Sequence, residues 1–270
     1  MFADGSCLFE KAQSRAALLS EQSIVVADAA HGVQLEQVLG KADIKTKILL
    51  EQTPQNTAAA SLVGALGALE YDEDALICLM PCDHVIMDEQ AFAKQVDAAA
   101  EYAQAGSIVL FGITPSVSVQ YGFIIRTPLM IGEGEFYRVE SFREKPSIEQ
   151  AKSLIETGRS YINSGIFLLQ AKKLITLMQQ LQPALYMQVK QAYDGRKGTL
   201  IAPYGLAAKD ALPLDKAIIE KAGSLVVAPA CFDWADVGSL EALHDVSDGN
   251  EDFCTEIRRN LAQFGILETA

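Results

Sequence analysis

The sequence predicts an α/β protein built on a mixed, mostly parallel sheet flanked by helices. Two observations carry that expectation. Four short β-branched or apolar runs, residues 23–27, 46–50, 75–80 and 107–113, alternate with stretches whose apolar residues recur at helical spacing. Parallel strands need crossover connections of that kind, whereas antiparallel ones can be joined by tight turns. Half of the 270 residues are hydrophobic, which is ample for one large core.

In chain order, residues 23–27 form the first strand. Val33, Leu35, Val38 and Leu39 mark a helix that leads to the strand at 46–50. Residues 58–69, rich in alanine and leucine, are a second helix, followed by the strand at 75–80. Residues 92–103 are a third, with Asp88 as N-cap ahead of Glu89 and Gln90. From Tyr121 the pattern changes. "YGFIIRTP" and "EFYRVESFREKP" are strand-like runs joined by the glycine-containing "LMIGEGE", a hairpin connection. "SIEQAKSLIETG" is a helix with Ser147 as N-cap and Gly158 as C-cap. "SYINSGIFLLQ" is a strand, residues 172–182 and 184–192 are helices, "LDKAIIEKAG" is a short helix closed by Gly223, and "SLVVAP" is a further strand. No repeat or long linker divides the chain. The expected organisation is one domain over residues 1–250, with an α/β half (1–115) and a mixed half (116–250) sharing a cleft, and a tail at 251–270.

Lys and Arg total 22 against 35 Asp and Glu, a net charge of −13. That balance argues against nonspecific binding to nucleic acid or to an anionic membrane. No run approaches the roughly 20 apolar residues of a membrane span, and "MFADG" lacks the basic start and long apolar stretch of a secretion signal. The five cysteines, Cys7, Cys78, Cys82, Cys231 and Cys254, show no CxxC pair. They read as reduced thiols packing as small apolar groups, and with the missing signal they suggest a cytoplasmic protein.

Four stretches place polar groups at strand ends: "PCDH" with Asp83, "ESFREKPS" at 140–147, "YINSGIF" at 161–167 and "FDWADVGS" at 232–239. In open α/β sheets ligands bind outside the carboxyl ends of strands. Each residue also has a plainer reading. Asp83 could cap a turn, and Asp236 could cap a helix starting at Ser239. Lys145 could be an exposed lysine, and Asn163-Ser164-Gly165 a bulge in an edge strand. His84 reads as a hydrogen-bonded structural group at the strand end, Trp234 as packing near the site, and His31 and His244 as surface helix residues.

In their order and separations these stretches resemble the sugar-1-phosphate nucleotidyltransferases, and among them the mannose-1-phosphate guanylyltransferase family. The likeness rests on Pro81-Cys82-Asp83-His84, Phe111-Gly112-Ile113, Tyr121-Gly122-Phe123-Ile124, Phe142-Arg143-Glu144-Lys145-Pro146, Asn163-Ser164-Gly165-Ile166-Phe167 and Trp234-Ala235-Asp236-Val237-Gly238-Ser239. "LLEQTPQNTAAA" and "LDKAIIEK" are similar to two further family stretches, and the likeness runs from near Ser6 to about Asn250. The resemblance implies a Rossmann-like nucleotidyltransferase fold. It implies that the phosphate of mannose-1-phosphate attacks the α-phosphate of GTP, giving GDP-mannose and pyrophosphate. Asp83, Lys145 and Asp236 would be the catalytic set, with Mg²⁺ held by Asp83 and Asp236. Mg²⁺ takes one or two carboxylates plus substrate phosphates. Lys145 would meet the sugar phosphate, Glu144 and Asn163 the sugar hydroxyls, and Gly122 would let backbone approach the sugar. Gln52, Asn56 and Thr57 would face guanine.

The family opens with a strand and a glycine-rich loop around the triphosphate, and nothing here is similar to it. "MFADGSCLFEKAQSRAALL" looks like the helix that follows. The resemblance therefore implies an incomplete triphosphate side, weak or absent turnover, and neighbouring strands with unpaired backbone groups. A trimmed start, a strand from another chain, or a non-catalytic relative would each account for it. Cys82 stands for a usual serine, "SVSVQYG" lacks the family's glutamate, and Lys216 replaces a common aromatic. The alternatives are a sugar-nucleotide-binding regulatory homologue, as a homo-oligomer or paired with a complete homologue, and a nucleotidyltransferase for another sugar-1-phosphate.

Overall fold

The computed structural model describes residues 6–40, 44–115, 120–132, 134–207 and 210–236. Its elements begin with α1 (Leu8–Leu19), β1 (Gln22–Asp28), α2 (Gly32–Leu39), β2 (Lys45–Glu51), α3 (Asn56–Ala68), β3 (Leu76–Leu79) and β4 (His84–Ile86). There follow α4 (Glu89–Gln104), β5 (Ile108–Ile113), β6 (Phe123–Met130), β7 (Tyr137–Arg143), α5 (Ile148–Glu156) and β8 (Ser160–Gln170). The remainder are α6 (Ala171–Leu181), α7 (Pro183–Asp194), β9 (Leu200–Ile201), α8 (Leu214–Ala217), β10 (Leu225–Pro229) and β11 (Trp234–Asp236).

The helix boundaries follow local chemistry. Asp88 caps α4, its Oδ1 accepting from the Ala91 amide at 2.8 Å. Ser147 and Gln150 close α5 with a reciprocal capping box. Gly158 stands just past α5 at φ +63°, the left-handed position that ends many helices. Pro183 opens α7, where its missing amide is no loss. One expectation is corrected. "LDKAIIEKAG" is no continuous helix but α8 followed by a 3-10 turn at Ile219–Lys221, broken at Ile218. Ile218 and Ile219 are adjacent, β-branched and both buried. Their stiff side chains turn into the core across the break.

β1, β2 and β9 form a three-stranded parallel sheet, Gln22 standing opposite Lys45 and Leu50 opposite Leu200. A six-stranded sheet runs β3-β8-β5-β10-β7-β6, with β6 also pairing β8. β4 and β11 make a separate antiparallel pair. The expected mixed sheet flanked by helices is present, its parallel share confined to β1–β2–β9 and β5–β10. β8 explains the difference: it enters antiparallel between β3 and β5 and reverses the pairing on both sides. Strands from before and after residue 115 interleave in this sheet. Among the described residues β1 and β3 are outer strands of different sheets.

The core lies on both faces of the larger sheet. β5 shows why: Ile108 and Leu110 join the cluster of Leu49, Leu62, Leu169 and Leu174, while Val109 and Phe111 join that of Phe92, Ile166 and Phe232. Phe92 and Phe232 meet edge to face at 5.1 Å. The cysteine expectation holds for Cys78, whose thiol is pushed up to about 12 by burial. It fails for Cys82 and Cys231, which are exposed. His31 is exposed at the end of a 3-10 turn rather than on a helix; His244, Cys254 and the 251–270 tail lie outside the described residues. Among the described residues no helix is long and apolar enough to cross a membrane.

Candidate functional site

The two candidate metal carboxylates, 153 positions apart by subtraction (236 − 83), are brought together by the pairing of β4 with β11. Asp236 stands directly opposite His84, and Asp83 precedes His84. Opposed residues of an antiparallel pair have Cα atoms roughly 4.5–5.5 Å apart. His84 is buried, and its Nδ1 accepts from Trp234 Nε1 at 3.1 Å. That bond leaves Nε2 as the nitrogen that carries the proton in the neutral ring. Burial pushes the imidazole down, while the Asp236 and Asp83 carboxylates pull it up. The strand end is anchored from below by Arg15 of α1, whose Nη2 donates to the His84 carbonyl at 3.0 Å and whose Nη1 lies 3.7 Å from Glu89. Nothing in the α1 sequence singles out this buried arginine.

Two neighbouring hard oxygen donors suit Mg²⁺, which fills its remaining positions with water and phosphate oxygens. Among the described residues no three His, Cys, Asp or Glu side chains gather as a self-sufficient metal cage. The donor set therefore fits an ion shared with a phosphorylated ligand.

The second group sits on β8. Asn163, buried, donates from Nδ2 to Asp215 Oδ1 at 2.7 Å, and its Oδ1 accepts from the Gly165 amide at 3.2 Å. Both ends of the amide are thus assigned. Asn163-Ser164-Gly165 is indeed a bulge, set against Phe111 between the Leu110–Phe167 and Gly112–Asn163 pairs. It lies in an interior strand, not an edge one, with Gly165 at φ +71°. The Asn163 amide donates to the Gly122 carbonyl at 2.8 Å. A Cβ at Gly122 would lie 2.7 Å from Glu144 Oε2 and from Phe142 Cζ, so the glycine is demanded by the packing of Glu144.

Glu144 and Asp215 are both carboxyls held above their ordinary range. Burial is the main cause for each; Asp215 pushes Glu144 further up, while Lys145 and Lys216 pull it down. Lys145 is exposed and adopts φ +48° immediately before Pro146. Asn56, at φ +68°, is the other described non-glycine residue in the left-handed region, and asparagine tolerates it best. Gln52 and Asn56 are exposed, and the loop they share is stitched to the segment before α8. Asn56 Nδ2 donates to Ala211 O, Ala58 N to Leu212 O, and Leu214 N to Thr57 Oγ1 at 2.9 Å. One residue on from Leu214 is Asp215. A continuous line of contacts therefore runs from Thr57 through Asp215 and Asn163 to Gly122 and Glu144. All five line one cleft, together with His84, Trp234 and Asp236. Gln52, Asn56, Asp83 and Lys145 lie outside that lining. Asp215 was missed in the sequence; its one signal is a lone acid inside the apolar stretch "ALPLDKAII".

Carboxylates and an amide thus gather in one cleft of a mixed α/β fold. Residues 1–252 match the nucleotidyl transferase family. The chain belongs to that family.

It is 36% identical over 231 residues to the xanthan biosynthesis protein XanB of Xanthomonas campestris pv. campestris, covering 83% of this chain and 49% of that one. It is 35% identical over 213 residues to a mannose-1-phosphate guanylyltransferase of Sinorhizobium fredii, covering 77% and 41%. It is 33% identical over 241 residues to the mannose-1-phosphate guanylyltransferase RfbM of Salmonella typhimurium, covering 86% and 50%. The chain thus spans about half the length of the curated relatives it matches. Among solved structures, a Thermus thermophilus protein described as a mannose-1-phosphate geranyltransferase superposes with a TM-score of 0.74 at 26% identity, covering 92% of this chain and 71% of that one. A UDP-glucose pyrophosphorylase complexed with UDP-glucose, at 13% identity and a TM-score of 0.55 over 89% of this chain and 85% of that one, shares the fold.

Proposed function

We propose that the chain carries the sugar-phosphate and metal side of a guanylyl transfer from GTP to mannose-1-phosphate, and works in the cytoplasm. Kinship to named mannose-1-phosphate guanylyltransferases supports the substrates. The observation that carries the reading is the network from Thr57 through Asp215 and Asn163 to Glu144, which shares one cleft with Asp236, while Asp83 stands just outside the lining beside His84, the residue opposite Asp236.

In this reading a phosphate oxygen of mannose-1-phosphate bonds to the α-phosphorus of GTP, and the bond from that phosphorus to the bridging oxygen breaks. Pyrophosphate leaves with the electron pair. Mg²⁺ held by Asp83 and Asp236 supplies positive charge to the phosphates when bound. Lys145 meets the sugar phosphate as a point charge, launched from a backbone fixed at φ +48° and by the following proline. Glu144 and Asn163 bind sugar hydroxyls, with Asn163 held in one orientation by Asp215 and the Gly165 amide. Gln52, Asn56 and Thr57 face guanine. No side chain acts as nucleophile, because the substrate phosphate is already one.

The placement of Asp83 and Lys145 outside the cleft lining favours a second reading, in which the chain binds the sugar nucleotide and turns over slowly on its own. Calorimetry with GDP-mannose and mannose-1-phosphate, with and without Mg²⁺, tests the shared part, and pyrophosphate release from GTP separates the two. Mg²⁺-dependent binding of either ligand is expected. Absence of binding by both would refute the proposal.

A further inference from the structure

Glu51 is a buried acid that the guanylyl-transfer reading leaves without a task. It is 4% exposed and ends β2, the middle strand of β1-β2-β9. Its Oε1 accepts from the hydroxyl of Tyr204, itself buried and 153 residues further on. Burial pushes the Glu51 carboxyl up, the Tyr204 hydroxyl pulls it down, and Asp28, opposite it in the β1–β2 register, pushes it up again. Burial and the Glu51 carboxylate likewise push the phenol up. Two apolar side chains of the same shape would fill this part of the core at less cost. The pair is therefore explained by what it holds in place.

What it holds is the loop between β2 and α3. Gln52 follows Glu51 directly, and residues from Gln52 to Ala58 bond repeatedly to the chain around and after β9. Gln52 N donates to Ile201 O at 3.3 Å, Asn56 Nδ2 to Ala211 O at 3.5 Å and Ala58 N to Leu212 O at 3.2 Å, while Thr57 Oγ1 accepts from Leu214 N at 2.9 Å. The Tyr204 bond stands in this row between Ile201 and Ala211. The loop needs holding: Asn56 sits at φ +68°, and such angles persist where the surroundings fix them. Glu51 and Tyr204 both stay outside the cleft lining, whereas Thr57 is inside it. Their bond thus braces the loop from behind and reaches a ligand only through the loop.

We infer that Tyr204 and Glu51 are positioning residues for the nucleobase end of the cleft: their hydrogen bond fixes the 52–58 loop in the form that meets guanine. The inference rests on the guanylyl-transfer reading and deepens it. Loss of the bond weakens guanine nucleotides and spares the sugar phosphate. Mannose-1-phosphate is met in that reading by Glu144, Lys145 and Asn163, and the Leu214–Thr57 bond, through which the loop reaches Asp215, is kept.

The test uses the full 270-residue chain with Mg²⁺ present. Calorimetry measures GDP and mannose-1-phosphate separately, and amide hydrogen exchange is read without ligand. Tyr204→Phe removes only the hydroxyl. It is expected to weaken GDP about fivefold or more, to leave mannose-1-phosphate within about twofold, and to speed exchange of the Gln52 and Ala58 amides about tenfold with β5 unchanged. Glu51→Gln keeps an acceptor oxygen and stays within about twofold for both ligands. The double variant Glu51→Leu with Tyr204→Phe leaves no polar group of the pair buried and unpaired. It holds or raises the urea midpoint yet still weakens GDP. That split separates positioning from plain stability, and the double variant decides should the single one not fold. Equal weakening of both ligands, unchanged GDP binding, or unchanged exchange at Gln52 and Ala58 overturns the inference and leaves the guanylyl-transfer reading standing. Failure of the unaltered chain to bind GDP instead removes the guanine reading, and the inference with it.

Discussion

Asp215→Ala removes the acceptor of the 2.7 Å hydrogen bond from Asn163 Nδ2 and leaves that amide group, 7% exposed, with a buried donor to satisfy. A hydrogen bond to a charged partner is worth about 1.5–3 kcal/mol. If Asn163 must be held toward the sugar, that loss weakens GDP-mannose binding by about 10- to 150-fold. Stability should move much less. Burial holds the Asp215 carboxyl above its usual range, so its removal also relieves an unfavourable burial. Asp215→Asn keeps the volume and one acceptor oxygen. It stays within a few-fold of the unaltered protein if Asp215 acts by orienting Asn163, and matches Asp215→Ala if its charge is used directly. The assay is calorimetric titration of GDP-mannose with Mg²⁺ present, alongside urea unfolding at the same pH. Asp215→Ala binding within about twofold, with an unchanged urea midpoint, would refute the claim that the cleft floor acts as a unit.

Gly122→Ala forces a Cβ to within 2.7 Å of Glu144 and Phe142; destabilisation of about 1–3 kcal/mol in urea is expected, with weaker GDP-mannose binding, and a neutral result contradicts the packing account. Asp83→Asn and Asp236→Asn each cut the Mg²⁺ dependence of ligand binding by about tenfold or more, while Asp88→Asn, which retains the α4 cap, leaves it alone. The pH dependence has a definite sign. Burial raises both Glu144 and Asp215, so their contribution to stability is fully present below their unfolded values near pH 4 and is lost as pH rises through the raised native ones. The double variant Glu144→Gln with Asp215→Asn therefore gains stability relative to the unaltered chain as pH rises from about 4, measured by urea unfolding; parallel profiles contradict this.

Most elements could be read from the chain because their signals are local. Asp88, Ser147 and Gly158 mark helix ends through bonds or angles within a few residues, and all three stand where the pattern puts them. The pairing of His84 with Asp236 has no local signal. It joins two three-residue strands far apart in sequence, and only motif order hinted at it. Asp215 was hidden for a different reason. A single acid among apolar residues looks like an exposed interruption, and its partner Asn163 lies 52 residues upstream. Arg15 shows the same limit: helical spacing says which face of α1 is buried, but not that a guanidinium on that face reaches a carbonyl 69 residues away. The split between β1 and β3 depends on which strands sit side by side, and that is set by tertiary packing rather than by any strand's own sequence.

Lys145 offers a last consequence. A left-handed backbone angle in a residue with a Cβ costs the resting protein about 1–3 kcal/mol, and glycine would remove nearly all of it. Laboratory selection for heat resistance alone would accordingly drift toward glycine there and discard the ammonium group with the strain. On the proposed role of Lys145, robustness and anion capture pull against each other at this one peptide unit, so screens for hardier versions of the chain should score ligand retention at the same time.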